Sequence, residues 1–184
     1  MNILLDKLPN EYEGLKIETN FRSFILFELL MQDKNVSKED KVALAIKIFY
    51  KETPKDIEKA INGIIWFYCR GDKNVDTKKD EKNKKEHIYS YEYDANAIYS
   101  AFWHDYRLDL NEIEYLHWWK FKSLFEGLND ENRICEIMGY RSIDLSKIKD
   151  KDQKKKYKDL KKKYALPDER TEEEKEKDFA EAFW

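Results

Sequence analysis

Five glycines and three prolines are all the strong chain breakers in 184 residues. That scarcity constrains the fold more than any motif does, because it disfavours a turn-rich β protein and favours helices. Helix-start signals stand between the apolar runs. Thr19 or Asn20 can cap a helix beginning "FRSFILFELLMQ", which is apolar nearly all round and so expected in the core. Ser37 and Asp40 have capping-box spacing ahead of "KVALAIKIFYKE". Thr53 and Pro54 suit the cap and first position of a third helix through "KDIEKAINGIIWFYCR", which Gly71 closes. Asp94 is expected to cap "ANAIYSAFWHDYR", and Asp109 with Glu112 makes another capping box leading into "YLHWWKFKSLFEGL", ended by Gly127 or Asn129. "DENRICEIM" reads as a short helix stopped by Gly139, and "KDKDQKKKYKDLKKKYAL" as a basic helix closed by Pro167.

Two β-like runs, "NILLDKLP" and "GLKIET", flank a polar turn and predict a hairpin, while "IYSYEY" predicts a short extended piece. The expected fold is therefore mainly α, a single helical domain of about six to seven helices with a small N-terminal β-hairpin, over residues 1–167. Residues 72–86 hold six Lys and five acids around Val75, so 72–90 is expected to be a mobile charged loop. Residues 168–184 form an acidic C-terminal tail with an amphipathic tip.

Charged residues make up 40% of the chain, which alone would suggest disorder, but 12 Tyr, 10 Phe and 5 Trp supply ample burial for a folded core. The net charge of −3 lacks the basic excess of a nucleic-acid binder. Cys69 and Cys135 make neither a disulfide framework nor a zinc site and are expected to be small buried hydrophobes in a reducing cytoplasm. The N-terminus does not read as a signal peptide, and no apolar run approaches the ~20 residues of a membrane span. A soluble protein of the cytoplasm is expected.

Taken as one helix, residues 113–128 place Ile113, His117, Phe121, Leu124 and Leu128 on one face, with Trp118 and Phe125 on its flank. His117 then reads as a buried neutral histidine with a hydrogen-bond partner. Tyr115 and Trp119 project to the opposite side. Either another segment covers them or they form a partner surface. A base-stacking platform is disfavoured because Glu112, Glu114 and Glu126 offset Lys120 and Lys122.

Catalytic motifs are not evident: there is no phosphate-cradling Gly loop, no Gly-x-Ser-x-Gly elbow and no His-Glu-x-x-His. His87, His104 and His117 are too far apart for a helical metal pair. Pro167-Asp168, Glu173 and Lys175 mimic a nuclease pattern, but in a polar, helix-prone tail where that chemistry needs a rigid sheet. Pairing Cys135 with His104 or His117 as a nucleophile would need an accident of the fold. No enzyme activity, metal or cofactor is expected. The ends say more. Residues 150–164 hold eight Lys against three Asp, and residues 168–184 hold eight acids against three bases. Phe179, Ala182 and Phe183 have the spacing of an amphipathic docking helix.

The stretches "TNFR", "IIWFYCRG", "YEYDANAIYSAF", "YRLDL", "YLHWWKFKSLFEGL", "IMGYRSIDLSKI" and "KYALPD" occur in that order. Together they resemble the bacteriophage gene-product-fifteen family of tailed phages and prophages of Gram-positive bacteria, from about residue 2 to residue 168. The resemblance implies a tail-module protein without enzymatic activity. By analogy of gene position, it implies a tail assembly chaperone that coats the tape-measure protein and recruits tail-tube subunits or another tail chaperone. The alternative is a structural tail or tail-completion component retained in the virion. Tyr115, Trp119, Phe179, Phe183 and Trp184 are the candidate partner-binding residues, with no nucleic acid or membrane as partner and an oligomer allowed.

Overall fold

The computed structural model describes residues 2–71 and 88–167. Among them are a two-stranded antiparallel hairpin and seven α-helices. Strand β1 (Glu11–Tyr12) pairs with β2 (Leu15–Lys16). Glu13 and Gly14 between them have φ of 48° and 83°, the left-handed pair that a two-residue hairpin turn requires. The hairpin is thus real, but its first strand is not "NILLDKLP". The Asn2 carbonyl instead accepts from the Leu5 and Asp6 amides, closing a turn there.

The helices are α1 (Phe21–Gln32), α2 (Lys38–Phe49), α3 (Ile57–Tyr68), α4 (Ala95–Tyr106), α5 (Trp118–Glu126), α6 (Arg133–Ser142) and α7 (Lys151–Lys163). Asn20 and Ser37 cap α1 and α2 as their sequence positions predict. Asp56 caps α3 in place of Thr53, because its side chain reaches the Lys59 amide. Helix α6 runs through Gly139, which has open space around it. The segment "IYSYEY" folds as a turn rather than a strand, and residues 88–90, counted with the charged loop, are half-buried or buried. The rest of that loop and the acidic tail lie outside the described residues.

A ladder of rings forms the core. Phe24 of α1 contacts Phe49 of α2, Phe67 of α3 and Trp118 of α5 at centroid distances of 5.9, 4.9 and 5.2 Å. Trp118 passes to Phe121, and Phe121 stacks on Phe21 and on Phe102 of α4, each at 5.0 Å. These side chains are almost wholly removed from water, each contributing about 1.5–3 kcal/mol of burial. Helix α1 is not buried all round: Phe21, Phe24 and Glu28 face inward while Leu26 and Met31 face solvent. At Gly63 of α3 a methyl group would collide with the Tyr50 hydroxyl and the Tyr12 ring, so glycine allows the hairpin to close on α3. Tyr50 donates from there to the Ala60 carbonyl, and burial pushes its phenol up to about 12.

Candidate functional site

The stretch 113–128 is not one helix. Asp109 caps a turn, accepting from the Asn111 and Glu112 amides, and the chain stays non-helical until α5 begins at Trp118. Asn20 and His117 form an antiparallel bridge: the Phe21 amide donates to the Leu116 carbonyl and the Trp118 amide to the Thr19 carbonyl. Helices α1 and α5 therefore start side by side from a shared piece of β pairing. Arg22 reinforces the junction by donating to the Leu110 and Asn111 carbonyls at 2.9 and 3.0 Å.

His117 is the N-cap of α5, and it is buried. Its Nδ1 accepts from the Trp119 amide at 3.1 Å, which leaves Nε2–H to donate to the Pro9 carbonyl at 3.2 Å. The ring is thus held as one neutral tautomer with two partners. Burial first, and then the nearby Lys120 charge, hold its pKa below the ordinary histidine value, against the Pro9 hydrogen bond. A proton on Nδ1 would also destroy the cap. The stability this group contributes is present above the unfolded-state pKa of ~6.5 and is lost as pH falls through the lower folded value. His117→Asn keeps a capping oxygen and removes the titration. Its denaturation midpoint should therefore fall less between pH 7 and pH 5 than the wild type's, which parallel urea titrations at the two pH values measure.

Trp119 is 3% exposed, so of the two alternatives the first holds for it: another segment covers it, and its ring offers no open surface to a partner. Its indole N–H donates to the Phe67 carbonyl at 2.7 Å, and its ring packs edge-on against Trp66. With α5 starting at residue 118 rather than earlier, the angles counted from Ile113 do not apply. Tyr115 is 55% exposed, on the irregular segment ahead of α5, with its hydroxyl 2.8 Å from Thr19 Oγ1. Phe179, Phe183 and Trp184 lie outside the described residues.

Two polar groups sit deep in the fold. Glu28 of α1 accepts from the Tyr68 hydroxyl at 2.8 Å and from that of Tyr89 at 3.5 Å. Lys122 donates to Tyr89 and lies over the Tyr89, Trp118 and Phe125 rings. Burial, and then the Glu28 charge, push the Tyr68 and Tyr91 phenols well above their ordinary value, so both stay protonated. The Tyr91 hydroxyl and Trp118 Nε1 are buried with no hydrogen-bond partner among the described residues.

The second group is a bidentate pair. Arg141 of α6 meets Asp94 at 2.5 and 3.0 Å. It also donates to the Ile88 carbonyl at 3.1 Å and, through Nε, to the Tyr164 carbonyl at 2.6 Å. Asp94 stands at the N-cap position of α4 but makes no side-chain cap bond. Its carboxylate is taken by Arg141 and the Ser90 amide instead.

Other reactive side chains are similarly engaged. His104 bonds Asp105 at the surface. Cys69 and Cys135 are half-buried thiols, and burial pushes the Cys135 thiol up, away from the thiolate form. Among the described residues, no group of three or more His, Cys, Asp or Glu could hold a metal ion, and no helix is long and apolar enough to cross a membrane.

What these junctions leave open is a set of apolar side chains on α1, α2 and α3. Leu26, Met31, Val42, Leu44, Ile57 and Ile65 are all exposed, Leu26 and Ile57 by more than half. The three helices are consecutive neighbours. Ile57, Ile61 and Ile65 recur every four residues, on the side of α3 that carries Tyr68. The Tyr68 ring contacts Phe27 of α1 at 5.6 Å. The signal for this surface was present in the apolarity of α1 on every side, since a helix in a layered domain can bury only part of its circumference.

The stretches that suggested a phage family are those wired together here: "TNFR" to "YRLDL" and "YLHWWKFKSLFEGL", "IIWFYCRG" to Trp119, and "YEYDANAIYSAF" to "IMGYRSIDLSKI" and "KYALPD". No curated protein and no solved structure matches the chain. A family model described as Bacteriophage Gp15 protein matches residues 4–166, and the chain belongs to that family.

Proposed function

We propose that this chain is a non-enzymatic phage tail assembly protein, a chaperone that binds the tape-measure protein in the cytoplasm of the bacterial host. The observation that carries the reading is the set of exposed apolar side chains on α1 and α3, with Leu26, Ile57 and Ile65 foremost, around a densely ringed core. Such side chains on a charged protein are available as anchors for an apolar partner. A long apolar helix, as a tape-measure protein displays before its tube encloses it, can lay its stripe along packed helices of this kind. Family membership supports a phage role. The engagement of His117 and Asp94 in structural bonds supports a role without chemistry. The tail-tube protein or another tail chaperone is a further partner in this reading, and the tail residues Phe179, Phe183 and Trp184 are a further contact.

Co-expression with the tape-measure protein tests the proposal. This chain should keep it soluble. Leu26→Glu with Ile65→Glu should cut co-purification by at least about tenfold, equivalent to about 1.4 kcal/mol, while the denaturation midpoint stays near the wild-type value because both side chains already face water. Unchanged recovery by the double variant would remove α1–α3 as the binding surface. Mass spectrometry of purified particles separates the chaperone, which should be absent, from a structural tail or tail-completion component, which would be present.

A further inference from the structure

Helix α7 is a helix of lysines with little beneath it. It buries no residue fully and packs on α6 and on the 3-10 turn Leu145–Lys147. Tyr157, Leu160 and Tyr164 are half-buried. Opposite them, Lys151, Lys155, Lys158 and Lys162 recur at intervals of four, three and four residues, all exposed. At 100° per residue they form one ridge along the outward side. None of these four makes an ion pair among the described residues. Like charges at such spacing destabilise a helix, so the ridge gains from an acidic cover. Beside it runs an open groove lined by Asp152, Lys155, Lys156, Asp159, Leu160 and Lys163, four of them on the basic or apolar side and two acidic.

We infer that this outward face of α7 is the docking surface for the acidic segment 168–184 of the same chain, laid back antiparallel along the ridge. That segment carries eight acids against three bases. Glu169, Glu173 and Glu176 follow the four-then-three spacing of the lysines, and so do Glu174, Asp178 and Glu181. The reach is ample: α7 is ~20 Å long at 1.5 Å per residue, and 17 residues span that length whether helical or extended. The origin of the segment is also anchored. Arg141 holds the Tyr164 carbonyl, and Tyr164 stacks on Tyr140 at 5.6 Å. The acids therefore start four residues from a fixed point at the end of α7, and tethering gives them an effective concentration in the millimolar range. A partner that takes Phe179, Phe183 and Trp184 must first lift the segment from its lysines.

Zero-length carbodiimide cross-linking of the full chain tests this, on an equal mixture of ordinary and nitrogen-15-labelled protein. Cross-links from the tail acids should fall on Lys151, Lys155, Lys158 and Lys162 within single chains. They should be roughly tenfold more frequent than those to exposed Lys47 or Lys59. They should also fade at about 1 M salt, where the screening length drops to ~3 Å. Lys155→Gln with Lys158→Gln should abolish the preference. Cross-links between differently labelled chains would make the occupant a second copy's tail and overturn the inference. An even spread over surface lysines in the wild type would also overturn it, whatever the variant does.

Discussion

Trp118→Ala should lower the unfolding free energy by about 3–5 kcal/mol, the largest loss expected from any single truncation in the ring ladder. Trp118 is fully buried and bridges two groups of rings: Phe24 at 5.2 Å and Tyr68 at 6.0 Å on one side, Phe121 at 5.7 Å on the other. Those neighbours belong to separate helices that pack against one another, so they cannot all collapse into the vacated volume. Total stabilities of about 5–15 kcal/mol are usual for domains, and a loss of this size shifts the urea midpoint far enough to measure directly. Trp119→Phe next door should cost much less, about 1 kcal/mol, because it keeps a ring and gives up the bond to the Phe67 carbonyl. Equal costs for the two substitutions would show that the ladder does not run through Trp118.

Arg141→Met should cost about 3–5 kcal/mol, for a different reason. It strands the Asp94 carboxylate, 5% exposed, with the Ser90 amide as its remaining partner. It also takes the donor from the Ile88 and Tyr164 carbonyls, so α7 should loosen and its amides exchange faster. Asp94→Leu with Arg141→Met should recover part of the loss, giving a coupling of about 2–3 kcal/mol in a double-mutant cycle. Additive single losses would mean that the two side chains do not act as a pair. The bond is a tertiary clasp: it joins the start of α4, the end of α6 and the chain beyond α7, which are far apart in sequence.

The helices were legible because their signals are local. Asn20 and Ser37 cap from their own sequence positions, few breakers interrupt the runs, and α7 ends short of Pro167. The errors share a cause. Asp94 and Asp109 both look like helix caps. Asp94 is drawn away by a guanidinium 47 residues along the chain, while Asp109 caps a turn that goes no further because residues up to 117 are held by pairing with Thr19–Phe21. A propensity argument cannot see a partner across 90 residues, and one misplaced helix start rotates every face read from it. That is why the helical count leaves the cover of Trp119 open and puts His117 in the middle of a stripe rather than at a cap.

By itself the sequence determined the fold class, a mainly helical domain with a small hairpin, and the family, because both rest on short-range patterns and ordered motifs. The tertiary structure decided which aromatic faces are covered, which carboxylate caps and which is paired, and which apolar residues remain outside. Burial is a property of what the rest of the chain places against a surface, and an isolated helix carries no record of it. Leu26 and Phe24 are equally apolar two residues apart. Phe24 is at the hub of the rings and Leu26 is in water because α2, α3 and α5 pack on one side of α1 and leave the other open.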